Sequence, residues 1–250
     1  MPYVLLNRRE NIASLTLARG KVNALNPELL KELREHLEHL AGDPDIRAVI
    51  LTGQGKFFSF GFDIPEFLSR PREVFVDFLK QFTSLYAYLY LFPKPVIAAL
   101  NGHAVAGGCM LATACDYRLM VTGKARISLN EVSFGAAVFA GSIALLRNCV
   151  GDRNAEKMLL TGAMFSAEEA LEMSLVDRLT TEENLAEDAL ETARYYAANY
   201  GAAYNKVKML MREKDRPQFG EPERKSIEDF LKIWYSDETM KNLVQIKIRD

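Results

Sequence analysis

The chain has little of what anchors metals or cross-links: three cysteines (Cys109, Cys115, Cys149) and three histidines (His36, His39, His103) in 250 residues. An odd, sparse cysteine set does not fit a small secreted disulfide scaffold. No CxxC pair exists. His36 and His39 stand three apart on a charged helix, where a surface role suits them better than zinc. No metal site is expected. An excess of charge is missing too, since 31 Lys and Arg against 33 Asp and Glu leave −2. A nucleic-acid partner calls for a basic surplus, so the run Lys206, Lys208, Arg212 and Lys214 is read as the solvated face of a helix. No stretch of eighteen apolar residues is present to span a bilayer. Met1–Asn11 has neither the signal-peptide nor the transit-peptide pattern, and the final residues are not a peroxisomal address. The expectation is a cytoplasmic protein, most simply a bacterial one, with no nucleic-acid or membrane partner.

What is present is apolar residues, 49 % of the chain, enough for one large core with room for a helical appendage. Tyr3–Leu6 and Ile12–Leu17 have the β-rich composition of strands. Asn26-Pro27 opens a helix along which Leu29, Leu33, Leu37 and Leu40 recur at helical spacing. Ile46–Thr52 and Pro95–Leu100 read as buried strands, Glu73–Phe92 and Ala106–Cys115 as helices, Tyr117–Thr122 and Ala125–Leu129 as further strands. After about residue 140 the β pattern fades. Helices are expected at Ser142–Cys149, Asn154–Thr161, Ser166–Ser174, Glu183–Tyr200, Ala203–Lys214 and Glu221–Ser236, with Ser166 and Glu169 at capping-box spacing. Strands alternating with helices, then helices alone, predict an α/β core followed by a helical C-terminal part. The expected division is 1–195 and 196–250.

Three segments carry chemistry. In Phe57–Ile64, Gly61 permits a tight turn and Asp63 has the place of a helix N-cap, leaving the Phe62 amide near a helix start where N–H groups are free. An ordinary strand-to-helix turn reads the same way. In Asn101–Met110, small residues at Ala106-Gly107-Gly108 open a helix and let a ligand approach the backbone. Without GxxxxGK[ST], this is not a phosphate loop. Two such turns in one core make a better signal than either alone, since two backbone amides aimed at one oxygen are what a developing enolate or tetrahedral oxyanion requires. In Ile127–Gly135, Glu131 follows a strand in apolar surroundings. Either it points to solvent from a loop, or burial raises its pKa toward neutrality and suits it to proton transfer.

Taken together, Lys21-Val22-Asn23-Ala24-Leu25, Ala48–Gly53, Phe58–Ile64, Ala98–Gly102, Ala106-Gly107-Gly108 and Cys115-Asp116-Tyr117-Arg118 make the chain resemble the enoyl-CoA hydratase/isomerase (crotonase) family from about Val4 to about Ser236. The resemblance implies a spiral of ββα turns with trimerising C-terminal helices, assembled as a homotrimer or a dimer of trimers. It implies an acyl-CoA substrate of the kind met in fatty acid metabolism and no separate cofactor. The thioester oxygen would sit in an oxyanion hole made by the Phe62 and Gly107 amides. Lys21, Val22, Ala24, Phe60, Gly61, Asp63 and Ile64 would line the coenzyme A site, and Asn130 would orient thioester or carboxylate. Lys247 and Arg249 read as a solvated tail rather than as ligands of coenzyme A phosphates.

Within that family, hydratases hold water between two glutamates. Here Met110 stands at the first position and cannot move a proton, whereas Glu131 is kept. This pattern, with Leu129-Asn130-Glu131, is similar to that of Δ3,Δ2-enoyl-CoA isomerases, and the expected activity is isomerisation by one glutamate. The alternatives are a hydratase or another crotonase-type reaction, and a non-catalytic acyl-CoA binding protein. Phe60 and Phe62 depart from the small residues common in the family and leave the acyl group open.

Overall fold

The computed structural model describes residues 1–247; Arg249 lies outside them. The chain begins with the antiparallel hairpin β1 (Val4–Arg9) and β2 (Ile12–Leu17). Helix α1 (Pro27–Gly42) follows. Asn26 caps it, its side chain accepting from the Leu29 amide at 3.0 Å, and the leucine stripe predicted from spacing is its buried face.

Three repeats of one unit come next. Strand β3 (Ala48–Gly53) leads to β4 (Phe57–Ser59), then to α2 (Ile64–Ser69) and α3 (Arg72–Tyr90). Strand β5 (Val96–Leu100) leads to β6 (His103–Val105) and α4 (Gly107–Ala114). Strand β7 (Tyr117–Val121) leads to β8 (Ile127–Ser128), a 3-10 turn at Glu131–Phe134, and α5 (Ala140–Thr161). The first strand of each unit joins one parallel sheet, in the order β2-β3-β5-β7, and the second joins a smaller parallel sheet, β4-β6-β8. The result is a spiral whose rungs stack directly. Strand β5 is buried along its whole length, as a parallel strand covered on both faces must be. Helix α4 is buried at all eight positions, and its Gly, Ala, Cys and Thr residues allow close packing.

The remaining elements are α6 (Ala167–Glu172), β9 (Arg178–Thr180), α7 (Leu185–Ala197), α8 (Gly201–Arg212), a 3-10 segment at Glu213–Phe219, α9 (Glu221–Trp234) and α10 (Asp237–Leu243). The capping box expected at Ser166 and Glu169 is formed. None of the described helices is long and apolar enough to cross a membrane.

The two helices expected at 142–149 and 154–161 are both present within α5, whose helical path breaks between them at Gly151, with φ +72°. Several other expectations need correction. The strand expected at Ala125–Leu129 is only two residues long. Strands β4, β6 and β9, three residues each, are too short to leave a period in the sequence. The basic run is not all solvated. Lys208 is 6 % exposed and pairs with Asp116 at 2.7 Å; Arg212 pairs with the other Asp116 oxygen at the same distance.

Asp116 also accepts from the Val96 amide at 2.7 Å, so one buried carboxylate joins β5 to α8. Burial lowers the Lys208 ammonium to about 8 even with this partner beside it. Replacing Asp116 by Asn leaves two cations buried without their counter-charge. The expected cost is about 3–5 kcal/mol of folding stability, read from denaturant melts at neutral pH. A cost below about 1 kcal/mol would show that α8 is held by its packing alone.

Candidate active site

Each rung of the small sheet ends in one of the three segments singled out above. Ser59 of β4 runs into Phe60–Asp63, Val105 of β6 into Ala106–Gly108, and Ser128 of β8 into Leu129–Glu131. Because β4, β6 and β8 are adjacent and parallel, their exits lie side by side. The sheet register therefore brings together residues far apart in sequence.

The first exit turns at Gly61, with φ +94°. The Leu25 amide donates to the Gly61 carbonyl at 2.7 Å, and the Asp63 amide donates to the Leu25 carbonyl at 3.0 Å. That pairing passes over Phe62, whose N–H has no acceptor among the described residues. In the second exit Ala106 has φ +51°, an uncommon value for a residue with a Cβ. It starts α4 so that the Gly107 N–H likewise has no acceptor among the described residues. The two turns touch: a methyl added to Gly61 would lie 3.2 Å from the Gly107 nitrogen.

A cavity of about 280 Å³ opens beside them. Glu131 lines it and is its sole carboxylate among the described residues; Asn130 is the other polar side chain there. Glu131 is 5 % exposed, and its Oε2, like the Asn130 Oδ1, is buried without a hydrogen-bond partner among the described residues. Loss of hydration pushes the Glu131 carboxyl up to about 8, against a smaller opposing pull from its own backbone amide. Of the two sequence alternatives, burial is the one realised. Met110 is 1 % exposed and presents a thioether where a second acid would be needed for two-group chemistry.

A wider cleft of about 540 Å³ lies elsewhere, between α8 and the end of α4. Its buried cations are already paired, Arg118 with Asp177 and Lys208 and Arg212 with Asp116. It does not adjoin the free amides, which leaves the smaller cavity as the candidate site.

Phe60, Phe62, Ile64, Asn130 and Glu131 line that cavity. Lys21, Val22, Ala24, Gly61, Asp63 and Gly107 do not. Gly61 and Gly107 stand next in sequence to the lining residues Phe60, Phe62 and Ala106, and Lys21 is exposed on the loop paired with the first exit turn. The Val22 carbonyl accepts from the Phe60 amide at 2.9 Å, and the Ala24 carbonyl accepts from Arg19 at 2.9 Å. Asp63 is the expected N-cap, accepting from the Glu66 amide at 3.1 Å, and is held by Arg19 at 2.7 Å. Sequence reading missed Phe230 and Trp234, which α9 carries into the cavity wall from a hundred residues away. Their only signal was the apolar stripe of an amphipathic helix. Phe134 and Phe139 also line the cavity, whereas Tyr86 and Tyr90 turn away to bond Glu223 and Asp215.

Comparison with known proteins gives a consistent picture. The family model described as enoyl-CoA hydratase/isomerase matches residues 7–241. The 2,3-dehydroadipyl-CoA hydratase of Escherichia coli is 34% identical over 215 residues, 85% of this chain and 83% of the relative. The human mitochondrial enoyl-CoA delta isomerase 1 is 30% identical over 234 residues, 93% of this chain and 78% of the relative. The crystal structure of human mitochondrial delta3-delta2-enoyl-CoA isomerase superposes with a TM-score of 0.92 at 30% identity, covering 97% of this chain and 95% of that one.

The raised carboxyl makes a thermodynamic prediction. Between the ordinary glutamate value and about 8, folded Glu131 holds a proton that the unfolded chain has released. Its contribution to stability therefore falls as pH rises through that window, by at most about 1.4 kcal/mol per pH unit, and is level outside it. Glu131→Gln removes this dependence. Denaturant melts are expected to show variant and wild type nearly equal at pH 4.5, with the variant ahead by a margin that widens up to pH 8. A constant difference across that range would mean the carboxyl is not raised.

Proposed function

The chain belongs to the enoyl-CoA hydratase/isomerase family, and from that premise of a crotonase-type acyl-CoA enzyme we propose that it isomerises 3-enoyl-CoA to 2-enoyl-CoA rather than adding water. The observation that supports the reading is that Glu131, buried with its Oε2 unpartnered, is the sole carboxylate among the described residues lining an apolar cavity that Met110 also lines. Water addition in two-glutamate fashion needs a second acid there. Moving a double bond needs only one group that takes a proton and gives it back.

In the proposed reaction the thioester oxygen accepts from the Phe62 and Gly107 N–H groups. Glu131 takes a proton from C2, and the C2–H electron pair enters the conjugated dienolate. The two donors hold the oxygen's growing charge more tightly than the neutral thioester, which lowers the barrier. Glu131 then returns the proton to C4, leaving the double bond between C2 and C3. Asn130 orients the carboxyl or the thioester. The coenzyme A arm leaves along the ledge formed by Lys21, Val22, Ala24, Gly61 and Asp63. This chemistry asks for no metal and no redox cofactor. The exposed Tyr200, Val207, Leu210 and Met211 on and beside α8 give an apolar surface suited to the expected trimer of like chains.

The reading is tested on trans-3-hexenoyl-CoA and crotonyl-CoA, with products separated by chromatography. Wild type is expected to convert the first and barely hydrate the second. Glu131→Gln is expected to lose about 10²–10⁴-fold in isomerisation. Because the base must be ionised, kcat/KM should rise with pH and level off above about 8. Brisk hydration of crotonyl-CoA would favour the hydratase reading. Tight binding without turnover on either compound would favour a non-catalytic binding protein.

A further inference from the structure

The acyl group left open by Phe62 is constrained by where that ring stands. Phe62 lines the cavity on one side. On its other side it meets the aromatic stripe of α3 edge-on, with ring centroids 4.9 Å from Phe78 and 4.9 Å from Phe82. Neither of those rings reaches the cavity, and both are fully buried. The ring cannot swing toward α4 either. A Cβ on Gly107 would lie 2.9 Å from the Phe62 Cε1, so Gly107 is bare where the ring lies against it. Phe62 is therefore wedged between α3 and the second exit turn and forms part of the cavity's wall. Phe139, 6.5 Å away and itself 4.9 Å from Phe230, continues the closure.

From this we infer that Phe62 sets acyl-chain length, making the cavity a blind pocket for an unsubstituted hydrocarbon chain of about eight carbons. The inference rests on the acyl-CoA reading above and deepens it. A methylene takes up roughly the volume of one water, on the order of 30 Å³. The cavity's 280 Å³ then holds about nine such units, thioester carbonyl included. Beyond Asn130 and Glu131 the wall offers hydrocarbon, aromatic rings and the Met110 thioether. No Lys, Arg or His lines it among the described residues, so a chain ending in a carboxylate would bury an unpaired charge. Rings and aliphatic groups, by contrast, reward each buried methylene.

The test is calorimetric affinity for saturated acyl-CoAs from butyryl to palmitoyl, which needs no turnover, in wild type, Phe62→Leu and Phe62→Ala. Wild-type affinity should rise about fourfold per methylene, break near eight carbons, and not rise further. Both substitutions should move the break to longer chains, Ala further than Leu. Merely loosening the pocket would weaken binding at every length and leave the break in place, and that result overturns the proposal. The leucine variant guards against failure of the alanine variant to fold. Adipyl-CoA should bind at least tenfold more weakly than hexanoyl-CoA; equal binding overturns the hydrocarbon class. A smooth rise to palmitoyl-CoA overturns the length assignment while leaving the isomerase reading intact. Binding at no length overturns both.

Discussion

The site depends on how closely successive rungs of the spiral approach one another through their backbones. An added Cβ at Gly102 would meet the Lys56 carbonyl at 2.0 Å, and one at Gly108 would meet the Ser59 carbonyl at 2.4 Å. No side chain fits at either place. Two asparagines lock the same region. Asn101 accepts from the Gly53 amide at 2.9 Å and donates to the Gly55 carbonyl at 2.8 Å, while Asn23 donates to the carbonyls of Gln54 and Phe57. With the rungs held at this spacing, the Phe62 and Gly107 amides come out on touching turns. A site built from backbone donors is indifferent to the side chain attached to them, which is why a bulky phenylalanine can stand at position 62 while its amide stays free.

This arrangement has a thermodynamic cost. Ala106 holds a positive φ, of the kind that costs on the order of 1–3 kcal/mol. Glu131 is buried without a partner for one of its oxygens among the described residues. Neither feature helps the chain fold, and both lie where free polar groups face the cavity. The offset lies in the surrounding packing. The rings of α3 pack edge-on or tilted against Phe62, Phe67, Phe230 and Trp234, and aromatic pairs of such geometry add about 0.5–1.5 kcal/mol each beyond the area they bury. The same rings that stabilise α9 against α3 therefore also close the cavity.

The sequence made the rungs legible wherever a strand was long and wholly apolar, as in Ala48–Gly53 and Val96–Leu100, and wherever a helix had both a cap and a stripe, as at Asn26 and Ser166. Gly61, Asp63, Gly107 and Glu131 could be singled out because turn and cap chemistry is local. What could not be read was anything fixed by distant partners. The three-residue strands exist only because a neighbouring rung pairs with them. Lys208 reads as a surface residue until Asp116, ninety-two positions away, is seen beside it. Phe230 and Trp234 reach the cavity through the folding-back of α9, which no local pattern encodes. Whether Glu131 faced solvent or core was likewise undecidable from its neighbours in sequence.

The burial of Glu131 bears on the choice between the family's two named chemistries. Where two carboxylates divide the work, one can be held as an acid and the other as a base, each with its own proton affinity. A lone carboxylate has to do both. If its pKa stayed in the ordinary range, it would take a carbon-bound proton poorly; if its pKa were very high, it would rarely be ionised to begin. The useful value lies near the working pH, and an apolar wall without a counter-charge is the simplest way to reach it. Asn130 is neutral, Met110 is apolar, and Phe139 is fully buried. No cation lines the cavity among the described residues to pull the carboxyl back down. On the proposed reading, the surroundings that make Glu131 costly to the fold are the ones that would let a single group carry a proton in both directions.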